Sequence, residues 1–174
     1  MGFFLNGEAA PPTSGGGITT ISSGSLPAAT TQSFTSIPAT YAYLILSVVG
    51  ASSDTATRHP MVVVSTTNGV SYDTTAASYT ALSNGAAYTE ASIFNTGAAD
   101  QVAAATWTFE AHFYGYQGGS YCIIATSLFD SIGGSTAPAA GRYGASTSAI
   151  DALQIKWNGT GNFDAGTYAL YGVR

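Results

Sequence analysis

The alternation of apolar and polar residues is clearest in the last part of the chain. Two runs, Ala149–Trp157 and Ala165–Val173, alternate with a period of two and flank the Gly- and Asn-rich segment Asn158–Asn162. Period-two alternation on both sides of such a turn is typical of a β-hairpin. The sequence therefore predicts a closing hairpin whose last strand completes a sheet.

Two further segments predict strands in the first half of the chain. Tyr41–Val49 is the strongest apolar run and is too short for a typical helix, so it predicts a buried central strand. Met61–Ser65 is rich in β-branched residues and predicts a second strand. The dipeptide Asn68-Gly69 then predicts a turn, across which Val70–Tyr72 is expected to pair back.

A second long hairpin is predicted in the second half of the chain. Thr106–Tyr116 alternates strictly, Gly118-Gly119 supplies a turn, and Ser120–Phe129 forms the return strand. In the first of these strands the residues predicted to share the buried face are Trp107, Phe109, Ala111 and Phe113.

The pattern as a whole predicts an all-β fold. Short strands, Gly-rich turns and the lack of a convincing amphipathic helix favour a two-layer antiparallel β-sandwich over residues 34–174, with a jelly roll as one form of it and a closed barrel less favoured. Residues 74–104 carry no firm assignment, and 132–142 read as a Gly/Pro/Ala loop.

Residues 1–33 are of low complexity and predict an extended N-terminal arm. Ile18–Ser22 alternates weakly and is a candidate first strand. Phe3-Phe4-Leu5 would be unfavourable in water, so the arm is expected to dock on a neighbouring subunit or to fold back on its own domain.

The charge content restricts the possible partners. Only 7% of the residues are charged, against about 25% in an average soluble domain, and the net charge is -5 with Lys156 as the only lysine. This composition argues against nucleic acid and against an anionic membrane surface, since both require several Lys or Arg contacts. No apolar run approaches the length of a membrane span.

The lack of lysine also bears on assembly. Exposed strand edges are normally protected by charged residues, above all lysine. We therefore expect a homo-oligomer in which other chains cover the edges; the alternative is a monomer with a Ser/Thr-rich surface.

No residue pattern predicts an enzyme. The loop carboxylates are spaced singly and indicate no catalytic pair; they are Asp54, Asp73, Glu90, Asp100, Asp130, Asp151 and Asp164. His112, two residues from Glu110, lacks the further partners of a zinc site or a triad, and His59 is the only other histidine. We expect no catalytic residue, no metal and no cofactor.

Cys122 is the only cysteine, which excludes an intramolecular disulfide, and its apolar neighbours predict a buried thiol. Tyr114, Tyr116 and Tyr121 surround the tip of the second hairpin, where they would either stack on a sugar or pack at a subunit contact. Asn158-Gly159-Thr160 matches a glycosylation acceptor, although a hairpin turn explains these residues fully.

Two segments near opposite ends of the chain carry a resemblance. Ser36-Ile37-Pro38-Ala39-Thr40-Tyr41 resembles the "SIPATYTHL" first strand, and Gly161-Asn162-Phe163 with Gly166 and Leu170-Tyr171-Gly172 resembles the "GNF..GS.F.LYG" close, of a module recurrent in virion proteins of tailed bacteriophages. The motifs consist of turn and strand residues, contain no catalytic residue, and leave the middle of the chain unmatched.

The resemblance implies a structural function in a virion. Such modules occur in virion surface and tail-associated proteins, and this chain resembles a capsid decoration (cement) protein. Such a protein would bind the major capsid protein on the head surface, with a trimer as the favoured oligomer. The alternative is a tail-fibre or receptor-binding module that recognises a host glycan or protein, and an enzyme is the least favoured reading.

Overall fold

The computed structural model describes residues 16–55, 60–75, 78–83, 86–89, 106–119, 122–130, 139–157 and 159–174. Within these ranges the chain forms strands and loops, and no helix there is long and apolar enough to cross a membrane. The strands are β1 (Ile18–Ser25), β2 (Thr31–Phe34), β3 (Tyr43–Ser53), β4 (Pro60–Ser65), β5 (Tyr79–Ser83), β6 (Ala86–Thr89), β7 (Trp107–Tyr114), β8 (Cys122–Asp130), β9 (Ala139–Tyr143), β10 (Ala152–Trp157) and β11 (Phe163–Val173).

The strands form two antiparallel sheets of unequal size. The large sheet has the order β1-β11-β3-β7-β8-β9-β5-β6, and the small sheet has the order β2-β10-β4. The sheets pack against each other around one core. Across it, the rings of Trp157 and Phe163 lie 5.0 Å apart, and Phe34 meets Tyr168 edge-on at 5.1 Å. The predicted all-β sandwich is confirmed.

The strand at the centre of the large sheet is the predicted apolar run. β3 pairs with β11 on one side and β7 on the other. Leu44, Leu46 and Val48 are completely buried, while the residues between them are partly exposed. Alternate residues of a strand point to opposite faces, so one side of β3 supplies the core and the other faces away from it.

The second predicted hairpin is also confirmed. β7 and β8 pair in antiparallel register from Trp107 opposite Asp130 to Tyr114 opposite Ile123. The four residues expected to share the buried face are all buried, namely Trp107, Phe109, Ala111 and Phe113. Gly118 and Gly119 take the positive φ angles, 109° and 135°, that glycine adopts without strain in a turn.

The predicted closing hairpin is wrong. β10 pairs with β2 and β4 in the small sheet, whereas β11 pairs with β1 and β3 in the large sheet. The connection between them therefore crosses the sandwich. Both strands bury one side in the same core, which explains their alternation, but alternation reports which face is buried and does not report which strand is hydrogen-bonded.

The predicted boundary between arm and sandwich, at residues 33 and 34, falls inside the sandwich. β1 pairs with β11 from Ile18 opposite Val173 to Ser25 opposite Thr167, and β2 pairs with β10. The candidate strand Ile18–Ser22 is thus confirmed and is longer than expected. The residues that precede Gly16, including Phe3-Phe4-Leu5, lie outside the described part of the chain.

Three smaller predictions differ from the structure. Asn68 and Gly69 form the expected turn, with φ of 52° and 79°, but Val70–Tyr72 forms a loop and does not pair back as a strand. The predicted loop 132–142 ends in β9, which pairs with β8 and β5. The unassigned stretch 74–104 contains β5 and β6.

Candidate interaction surface

The outer face of the large sheet is the face that points away from the small sheet. On β3 it carries Tyr43, Ile45 and Val49, which alternate with the buried core residues. Val49 is 53% exposed and Tyr43 and Ile45 are partly exposed. Large apolar side chains therefore occupy the outer side of the central strand, where a sheet that faces water normally presents polar residues.

Strand register places Tyr43 in a line with three residues of neighbouring strands, and we call these four residues the apolar row. Ile18 on β1 lies opposite Val173 on β11, Val173 opposite Tyr43 on β3, and Tyr43 opposite Tyr114 on β7. Ile18 is 65% exposed and Tyr114 is 41% exposed. Since neighbouring strands lie about 4.8 Å apart, the row crosses roughly 14 Å of the sheet.

The apolar row lies at the end of the sheet where the described chain begins and ends. The backbone N–H of Arg174 donates to the carbonyl oxygen of Gly17 at 3.2 Å, so the two ends run side by side next to Ile18. Gly17 and Arg174 therefore lie beside the apolar row.

The aromatic side chains at one end of the row hold one another in place. The ring of Tyr43 lies 5.1 Å from that of Tyr114 and 6.1 Å from that of His112. The Tyr114 hydroxyl lies 3.2 Å from Nδ1 of His112, and Nε2 of His112 is hydrogen-bonded to the Glu110 carboxylate. Side chains that are already ordered lose less conformational entropy when a partner binds, which favours this patch as a contact surface.

The strands at the sheet edges lack protective charges. In the described part of the chain, β1 and β6 end the large sheet, and β2 and β4 end the small one. Their sequences, ITTISSGS, AAYT, TQSF and PMVVVS, contain no charged residue. The outer edge of β4 is partly used within the chain, because the Val64 N–H donates to the Tyr79 hydroxyl and the Val64 carbonyl accepts the Asp73 N–H. Within the described residues, β1, β2 and β6 have no further strand partner, and free edges without charge are prone to pair with other chains.

The predicted tyrosine cluster at the hairpin tip is only partly present. Tyr116 is completely buried; its hydroxyl donates to the Pro38 carbonyl at 2.5 Å and accepts from the Tyr41 N–H at 3.2 Å. Burial raises the pKa of Tyr116 above its usual value. Tyr114 remains exposed, and Tyr121 lies outside the described residues. Tyr116 is therefore a core residue that cannot stack on a sugar or a partner.

Comparison of the sequence with known proteins identifies no relative. No protein-family model matches the sequence, and no curated protein matches it. The function must therefore be argued from the residues themselves.

The carboxylates of Asp54, Asp151 and Asp164 act as hydrogen-bond acceptors. Asp54 accepts the backbone and side-chain N–H groups of Asn162 at 2.8 and 2.9 Å, and these bonds lower the pKa of Asp54. They fasten the loop after β3 to the crossing between β10 and β11. Asp151 accepts the Asn68 N–H at 2.7 Å, and Asp164 accepts the Ser52 hydroxyl.

Some predicted positions cannot be placed in the site. Glu90, Asp100, His59 and Asn158 lie outside the described residues, and the side chain of Asp130 is not described. Glu110 and His112 do meet, but the described residues contain no group of three His, Cys, Asp or Glu side chains that could hold a metal ion. Burial raises the pKa of the Cys122 thiol to about 12, and the prediction of a buried cysteine is confirmed.

The apolar row was not predicted from the sequence. Period-two alternation was sufficient to place Tyr43 and Val173 on the unburied faces of their strands. Their alignment with Ile18 and Tyr114 depends on strand register, which alternation within one strand does not report.

Proposed function

We propose that this protein is a non-enzymatic structural protein of a bacteriophage virion, a decoration protein that binds the major capsid protein on the head surface and stabilises contacts between capsomers. It acts as a homo-oligomer, with a trimer favoured. The observation that carries the proposal is a β-sandwich whose four edge strands lack charge and whose large sheet presents an apolar row to solvent.

The edges β1, β2 and β6 and the apolar row favour assembly, because the described part of the chain does not cover them. Edge strands without charge offer unpaired N–H and C=O groups, and the apolar row offers area whose burial stabilises a contact. A protein that binds only the assembled shell stabilises the shell by mass action. A decoration protein would therefore bury the uncharged strand edges and the apolar row in its contacts with neighbours.

The contact between the two segments that resemble phage proteins supports a structural role for them. Tyr41 ends the first segment, and its ring lies against Gly172 near the end of the second. A Cβ on Gly172 would come within 2.4 Å of the Tyr41 ring, so this contact requires glycine. The shared residues therefore specify the packing of the sandwich, which is consistent with motifs that contain no catalytic residue.

The alternative function, a receptor-binding module of the tail, relied on Tyr114 and Tyr116 at the hairpin tip. Burial of Tyr116 removes one of these two residues. Of the two, Tyr114 stays exposed and available to a ligand.

The copy number of the protein in purified virions separates the two functions. Quantitative mass spectrometry against the major capsid protein should give a copy number of the same order as that of capsomers. A few copies per particle would place the protein in the tail and contradict the decoration proposal. Absence from the particles would contradict both functions.

A further inference from the structure

A polar cavity of about 430 Å³ lies in the loop region after β4. It is lined almost entirely by hydroxyl-bearing side chains, with one carboxylate; the lining residues are Ser65, Thr66, Thr67, Ser71, Tyr72, Asp73, Thr74, Thr75 and Tyr143. It is formed by the 65–75 loop and the end of β9, so it does not include the apolar row.

Several lining groups are committed to the loop itself. The Ser65 hydroxyl accepts the N–H groups of Thr67 and Gly69 at 3.1 and 3.2 Å, and the Thr67 hydroxyl accepts the Ser71 N–H at 3.1 Å. These hydrogen bonds hold the loop in one conformation, as the hydrogen bonds between strands do elsewhere in the fold. The wall of the cavity is therefore already ordered without a ligand.

The single carboxylate is also committed. Asp73 accepts hydrogen bonds from the Thr75 backbone at 2.8 Å and from the side chains of Ser78 and Tyr143. Burial raises the pKa of Asp73, but these hydrogen bonds outweigh burial and hold it below its usual value. The same contact and burial raise the pKa of Tyr143 to about 12. Asp73 remains ionised and saturated, so it organises the loop and leaves little capacity for a cation.

The groups left for a ligand are neutral. Within the described residues, the hydroxyls of Thr66, Ser71 and Thr74 make no hydrogen bond, and the ring of Tyr72 lies in the same wall. A hydroxyl both donates and accepts, so three free hydroxyls match a ligand whose groups do the same. An anionic ligand would lose its hydration beside the ionised Asp73 without gaining an opposite charge, which is unfavourable.

We propose that this cavity binds a neutral saccharide, with the Thr66, Ser71 and Thr74 hydroxyls on the sugar hydroxyls and the Tyr72 ring against its apolar face. The site is separate from the decoration surface. Its ligand would be an uncharged sugar unit of a surface glycan.

Titration of the purified full-length protein with neutral and acidic monosaccharides, followed by saturation-transfer NMR, tests this inference. Glucose, galactose and N-acetylglucosamine are the neutral probes, and sialic acid is the charged one. At least one neutral sugar should show saturable transfer, and sialic acid should show none. The double variant Thr66→Val/Thr74→Val removes two hydroxyls at nearly constant volume and should weaken binding roughly thirtyfold, since each of the two lost hydrogen bonds contributes about 1 kcal/mol.

Thr20→Val on β1 is the matched control, because it makes the same change at an exposed position outside the cavity. It should bind like the wild type. Unchanged backbone spectra of each variant establish that the fold is kept. Absence of transfer from every neutral sugar, or equal affinity of the double variant and Thr20→Val, would overturn the saccharide site. Neither outcome bears on the virion copy number, so the two proposals fail independently.

Discussion

The two faces of the large sheet are formed by the same strands, but one face packs against the small sheet and the other faces away from it. Towards the small sheet, β3 presents Leu44, Leu46 and Val48, none of which is exposed to solvent. Towards the opposite side it presents Tyr43 and Ile45, which are also apolar but are only partly buried. Among the described residues, the small sheet covers the inner face and no layer covers the outer face. A residue of β3 therefore belongs to the core when the small sheet packs over it, and its hydrophobicity alone is not sufficient.

Leu46 and Ile45 are adjacent residues, of which Leu46 lies on the inner face and Ile45 on the outer face. Leu46→Ala should lower the free energy of unfolding by about 2–5 kcal/mol, because it leaves a cavity in a closed core. Ile45→Ala should lower it by about 1 kcal/mol or less, because its side chain already contacts solvent. Urea unfolding of the monomeric state measures both. Equal losses would mean that the outer face is covered within the single chain.

Tyr116 and Tyr114 allow a second comparison, between a buried and an exposed tyrosine, in which substitution by Phe removes only the hydroxyl. Tyr116→Phe should cost about 1–2 kcal/mol, because the Pro38 carbonyl and the Tyr41 N–H lose their buried partner. Tyr114→Phe should change stability by less than about 0.5 kcal/mol. Thermal and urea unfolding compare the two. A neutral Tyr116→Phe variant would contradict its burial in the core.

The burial of Cys122 in the inner face can be tested through the pH dependence of the free energy of unfolding. Because burial raises its pKa from 9.0 to about 12, the folded state keeps its proton where the unfolded state loses it. The stability that this thiol contributes is therefore fully present below about pH 9 and is lost as the pH rises towards 12. Cys122→Ala should reduce the loss of stability over this range in urea titrations. An identical pH dependence in both proteins would show that the thiol is accessible to solvent when folded.

Ile18 tests the outer face with the smallest expected effect on folding. Ile18→Asp changes an exposed residue, so the fold should lose less than about 0.5 kcal/mol, while self-association should be lost because a charge enters the apolar row. Val70→Asp is the matched control, since Val70 is 89% exposed and lies outside the row. Sedimentation velocity should show an oligomer for the wild type and the control and a monomer for Ile18→Asp. A wild-type monomer at every concentration would contradict the homo-oligomer.

The sequence was sufficient to predict the strands whose alternation is strong. β3, β4 and β7 carry continuous apolar faces, and each was located from its own residues. β9 was not found, because AAGRY consists mostly of small residues that produce no alternation. β2 was hidden for the same reason in a Ser/Thr-rich region.

Sheet membership and register were less accessible to sequence analysis. The two last strands share one core but lie in different sheets, and a Gly-rich crossing looks like a hairpin turn when only the flanking alternation is visible. The apolar row and the hydroxyl-lined cavity both arise from long-range placement: Ile18 meets Val173, and Tyr143 meets Asp73. Neither pairing leaves a local pattern, which explains why the candidate surface and cavity emerged only from the structure.

Binding to purified virus heads that lack this protein tests the central claim most directly. Wild-type protein and Val70→Asp should saturate such particles, as measured by co-sedimentation, and should raise the temperature at which the shells open. Ile18→Asp and Tyr114→Asp should bind much more weakly and give little protection. Equal binding by all four proteins would contradict the use of the outer face, and failure of the wild type to bind any particle would contradict the decoration function.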